Sequence, residues 1–125
     1  MTHWLAIALG GSIGACLRYS VTLWSQQQWG NDFPYGTLIV NILGSFLLGL
    51  LVLVVSQKFS NTLWLRQFLF IGVLGAFTTF STFSYETMEL FQSDQAILAL
   101  KNMFFNLFGS VLAAAAGLYL GKIVS

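Results

Sequence analysis

The charges in this chain are so few, and so placed, that they leave four long apolar stretches between them. Residues 4–24 contain one charge, Arg18, and residues 35–57, 67–85 and 102–121 contain none. Each stretch is close to the ~20 mostly apolar residues that a membrane-crossing helix requires. The segments between them carry turn chemistry. QQQWGNDFP (residues 26–34) holds Gly30, Asn31, Asp32 and Pro34, and residues 58–61 and 92–95 are the other two linkers. Trp4, Trp24, Trp29, Tyr35 and Trp64 fall near the span ends, where amphipathic rings sit at headgroup level. The pattern predicts an all-α integral membrane protein with four spans, as one domain over residues 1–125.

Composition removes the alternatives. Charged residues make up 7% of the chain, against about 25% in a soluble domain. A formal net charge of +1 supplies no field for nucleic acid. One cysteine, Cys16, and one histidine, His3, permit neither an internal disulfide nor a Cys/His metal cluster. The residues up to Cys16 (IGAC) faintly resemble a lipoprotein cleavage box. No Lys or Arg precedes the first apolar run, however, so a cleaved leader is not expected. With four spans, Lys58, Arg66 and Lys122 fall on one side and Arg18 and Lys101 towards the other. That bias fits either a single orientation with the termini inside or insertion both ways up.

Polar groups within spans are costly, so they are the informative residues. Gly10, Gly14 and Arg18 recur every four residues in the first span. The glycines allow close helix approach, while Arg18 either snorkels to headgroups or caps carbonyls. The second span carries Thr37, Asn41, Ser45 and Gly49 on one face. Asn41 is either interhelical glue or a donor lining an anion path. The fourth span sets Asn102, Asn106 and Ser110 beside a stripe of Gly109, Ala113, Gly117 and Gly121. The third span reads GVLGAFTTFSTFSYE from Gly72. Its glycines and Ser/Thr run predict a helix break near Thr78, tolerated at that depth only beside protein or a water-filled cavity. Phe80 and Phe83, three apart, share a face and can present positive ring edges to an anion. No Asp or Glu lies in the middle of a span; Glu86 and Glu89 follow the third. No nucleophile, paired carboxylate or phosphate loop suggests an enzyme.

The segments GGSIGACLRY (residues 10–19), GTLIVNILGSFLLG (36–49) and GAFTTFSTFSYE (75–86) resemble those of the Fluc, or CrcB, fluoride channels. The resemblance covers essentially the whole chain, and TTFSTFS with the upstream GTLIVN is its most specific part. It implies a passive fluoride exporter of the bacterial inner membrane, a homodimer of two antiparallel copies with two pores. It implies Asn41 as the pore asparagine and Phe80 and Phe83 as the ring-edge pair. Ser81, Thr82 and Glu86 would lie along a polar track, continued by Ser110 and, at a variable position, Asn106. Ala114, where some members carry a hydroxyl, leaves the far half of that track open. A structural sodium ion would be held by the backbone carbonyls of Gly75 and Thr78 from both copies, and Arg18 would be structural or vestibular. Two other readings are a four-helix proton-coupled exporter, which needs a mid-membrane carboxylate, and a non-transporting scaffold, which leaves the polar third span unexplained.

Overall fold

The computed structural model describes residues 1–125. Four helices are long and apolar enough to cross a membrane: α1 (Thr2–Trp29), α2 (Tyr35–Lys58), α3 (Leu63–Gln92) and α4 (Ala96–Val124). The helices outrun the apolar windows. The α1 backbone ladder continues through Gln26–Gln28, so the first linker shrinks to residues 30–34. Gly30 ends the helix at φ 77°, a conformation that costs a Cβ-bearing residue energy, and its N–H still reaches the Gln26 carbonyl at 2.8 Å. Pro34 opens α2. It has no N–H to leave unpaired, and its carbonyl takes the Leu38 N–H at 3.3 Å.

Small residues decide which helices meet. α1 lies along the first half of α3, where a Cβ at Gly10 would strike the Phe68 carbonyl and one at Gly14 the Val73 carbonyl. α2 lies along α4, where a Cβ at Gly49 would strike the Ala114 carbonyl and one at Gly117 the Phe46 carbonyl. Both pairs run parallel, as connection through one intervening span requires. Backbone meets backbone at these points, the approach that glycine permits between membrane helices. Outside the two seams the surface is apolar and exposed, with Leu5, Leu9 and Ile13 of α1 and Leu107, Val111 and Leu112 of α4 facing outward. Such a surface suits lipid.

α3 is not one helix. It begins with an α-turn, Leu63–Arg66, and widens into a π-helix over Gln67–Leu74. A last α-turn, Gly75–Phe77, follows. Thr78 and Thr79 are then extended, at φ −83°, ψ 156° and φ −153°, ψ 116°. A second helix, Phe80–Gln92, completes the span. The break lies where glycine and the Ser/Thr run predict it. The π-helix has no signal in the sequence. Thr79 caps the second half: its Oγ1 accepts the Thr82 N–H at 3.2 Å and donates to Thr82 Oγ1 at 2.9 Å. Glu86 and Glu89, placed after the third span by the sequence reading, lie inside this second helix.

Candidate functional site

An extended pair of residues in mid-span exposes backbone groups that a helix would satisfy, and each left unpaired there costs several kcal/mol, to order of magnitude. Asn41 answers at Thr79. Its Oδ1 accepts the Thr79 N–H at 2.8 Å, and its Nδ2 donates to the Thr79 carbonyl at 3.0 Å. The side-chain amide thus pairs with one residue of the break as a neighbouring strand would. The second Nδ2 proton goes to Asn106 Oδ1 at 2.9 Å. Asn106 Nδ2 in turn donates to the Asn102 carbonyl at 3.0 Å and to Asn102 Oδ1 at 2.9 Å. Asn102 Nδ2 donates to Thr87 Oγ1 at 3.0 Å, and Thr87 Oγ1 donates to the Phe83 carbonyl at 2.8 Å. The chain of hydrogen bonds runs from the break through α4 and returns to the second half of α3.

Beside this chain is a cavity of about 260 Å³. Asn41, Ser45, Thr78 and Thr79 line it from α2 and the break, Phe80 and Phe83 from the second half of α3, and Asn106 and Ser110 from α4. Phe80 and Phe83 meet edge to face, with ring centroids 5.5 Å apart and planes at 62°. Phe80 is 78% exposed, so the cavity has an open aromatic wall. Ser110 Oγ is buried and has no hydrogen-bond partner. No carboxylate and no cationic side chain lines this space. Chemically, it offers the hydroxyls of Ser45, Thr78, Thr79 and Ser110, an amide cluster and ring edges, with no fixed charge.

A family model described as "CrcB-like protein, Camphor Resistance (CrcB)" matches residues 5–118. The chain belongs to the CrcB family. Among its relatives is a "Fluoride-specific ion channel FluC" of Legionella pneumophila (strain Lens), 46% identical over 97% of this chain and 90% of the relative. A protein of the same description from Agrobacterium fabrum is 46% identical, covering 93% of both chains. One from Magnetococcus marinus is 47% identical over 94% of this chain and 96% of the relative. As a CrcB-family chain with four apolar spans and close bacterial relatives, it is a multi-pass protein of the bacterial inner membrane.

The CrcB chain gathers six of the site residues expected from sequence, Asn41, Thr78, Phe80, Phe83, Asn106 and Ser110, at one cavity. It separates the others. Ser81 is exposed beyond the break, its Oγ 3.4 Å from Thr79 Oγ1, and Thr82 serves the Thr79 cap. Glu86 lines a second, polar cavity of about 490 Å³ at the 30–34 linker, and accepts a hydrogen bond from Thr37 Oγ1 at 2.8 Å. Arg18 is half-buried and lines neither cavity. Gly75 opens the α-turn before the break, and Thr78 is its first extended residue. In a continuous helix the Thr79 N–H would bond the Gly75 carbonyl, but here Asn41 takes it. The hydrogen bonds of the turns and breaks end on neither the Gly75 nor the Thr78 oxygen. Thr79 and Thr87 were not singled out from sequence as functional. From sequence Asn102 is only the first member of the Asn102, Asn106, Ser110 stripe, and an amide in an apolar span is the one signal that its donor seeks a partner, which the fold supplies as Thr87.

Proposed function

We propose that this protein is a passive fluoride channel, working as an antiparallel homodimer with two pores. One observation carries the reading: uncharged donors and ring edges from α2, both sides of the α3 break and α4 converge on one cavity, and no charge accompanies them. Fluoride is small and strongly hydrated, so a pathway must replace its water with several weak donors without holding it fast. Asn41 and Ser110 supply an amide N–H and a hydroxyl, with Asn106 against the Asn41 amide as part of the same pore wall. Phe80 and Phe83 supply the positive edges of their rings. The outward exposure of Phe80 supports a pore wall completed by a second copy. Ser81, Thr82 and Glu86 would extend the track, and Arg18 would act at a vestibule or in packing.

The carbonyls of Gly75 and Thr78 fit a structural sodium ion. They are hard oxygen ligands released from helical bonding, with no Asp, Glu, His or Cys cluster to draw a transition metal. Bound there, sodium would supply positive charge to the freed carbonyls and fasten two breaks together.

Purified protein in liposomes, followed with fluoride- and chloride-selective electrodes, should release fluoride and retain chloride; equal release of both, or of neither, sinks the reading. Orientation is read separately. With exposed Cys16 replaced by alanine, single cysteines at Ser60 and Asn31, both exposed in linkers, should each react with impermeant maleimide from both membrane faces. Reaction of Ser60→Cys from the cytoplasmic face alone would rule out the antiparallel pair.

A further inference from the structure

The hydrogen-bond chain at the break has only one polarity. Reversing the Asn41 amide would set its NH2 against the Thr79 N–H and its oxygen against the Thr79 carbonyl, so the backbone fixes it. The free proton of Asn41 Nδ2 then requires an acceptor, and Asn106 must present Oδ1. That turns Asn106 Nδ2 towards Asn102, whose two oxygens receive it, and turns Asn102 Nδ2 towards Thr87. Asn102 is 0% exposed, Asn106 5% and Thr87 6%, so bulk water does not stand in for any partner. The consequence falls on Asn41, which has no idle donor. One proton holds the break and the other is engaged by Asn106.

We propose that Asn106 Oδ1 is a resident acceptor, occupying the Asn41 proton until a permeating anion displaces it, and that Asn102 and Thr87 are positioning residues that keep Asn106 in this accepting orientation. The proposal rests on the reading of Asn41 as a donor to the anion. Binding then becomes an exchange: the anion gains the Asn41 N–H only as Asn106 loses it, and Asn106 reclaims it as the anion departs. Such an exchange makes the site shallow. The Ser110 hydroxyl, one turn along α4, is a donor on the same cavity that no other group engages.

The test measures fluoride efflux from liposomes against fluoride concentration, with the wild-type protein and variants of confirmed oligomeric state. Asn106→Leu keeps the branched shape with a somewhat bulkier side chain, excludes water and removes the acceptor. The half-saturating fluoride concentration should fall about 2- to 10-fold, the factor that one net hydrogen bond represents, and maximal flux should fall with it. Loss of packing alone would lower maximal flux without tightening half-saturation. Thr87→Val loosens the far end of the chain and should shift half-saturation the same way by less, while Thr87→Ser restores it. An assembled Asn106→Leu with half-saturation unchanged or raised overturns the resident acceptor. If that variant does not assemble, Thr87→Val decides by the same two outcomes. A wild-type protein that passes no fluoride overturns this proposal together with the channel reading, whereas normal wild-type flux with an unmoved half-saturation in the variants overturns this one alone.

Discussion

The parallel pair α2 and α4 is joined by two different chemistries along one seam. Towards its C-terminal end the contact is glycine against backbone: Gly49 on Ala114, Gly117 on Phe46, Gly121 on Leu50. Towards its N-terminal end it is amide against amide, Asn41 on Asn106, with Asn102 and Thr87 behind. The glycine end holds by dispersion and shape. It excludes side chains but has no preferred direction along any bond. The asparagine end is directional, because each amide has a donor edge and an acceptor edge and only one arrangement satisfies all of them. One end of the same seam therefore fixes distance, and the other fixes which chemical groups face the cavity.

Substitutions can separate the two ends. The largest effect is expected at Asn41. An ionised Asn41→Asp has no proton for the Thr79 carbonyl or for Asn106 Oδ1, and it sets negative charge beside both. Fluoride flux should fall by at least about 100-fold, the scale of two lost charge-sensitive hydrogen bonds, while the protein still elutes as an assembled species. Wild-type flux would show that the amide edges do not matter. Next comes the glycine end. Gly117→Val places a branched side chain on the Phe46 carbonyl and should destabilise by about 1–3 kcal/mol, read as a lower melting temperature in detergent. An unchanged melting temperature would mean that the seam is looser than its backbone contacts imply. The smallest effect lies between the ends. Gly44→Ala would bring a Cβ onto the Thr78 Cγ2 methyl and should destabilise by about 1 kcal/mol. Thr78→Ser removes that methyl and should restore most of the loss, because the next neighbour, Phe77 Cδ1, is 3.3 Å from the added Cβ. Failure of the double substitution to recover would place the strain elsewhere.

How much of this could be read beforehand follows from the same distinction. The spans, the small-residue stripes and the break at Thr78 depend on local composition and spacing, and they are visible in the sequence. Spacing every four residues placed Asn41 with Ser45 and Asn106 with Ser110 on their helix faces. It could not say which face meets which. The partnership of Asn102 with Thr87 needs two helices in register, and no single-helix periodicity contains it. Glu86 and Arg18 were assigned from the resemblance, and the fold gives them different surroundings: Glu86 beside Thr37 at the polar mouth, Arg18 along α1 away from both cavities. The π-helix was invisible for another reason. QFLFIGVL is as apolar as an ordinary span, and nothing in its composition distinguishes a wide turn from a normal one.

A continuous helix carries rotational phase: removing one residue turns everything beyond it by about 100°. The extended Thr78–Thr79 pair interrupts that transmission, and Asn41 sets the phase afresh by gripping Thr79 from another helix. A deletion within Gln67–Leu74 would therefore rotate residues back towards Leu63 and the linker before it, while Phe80 and Phe83 kept their aim. The two halves of α3 are free to vary in length independently, and the aromatic wall takes its bearing from α2 rather than from the chain that precedes it.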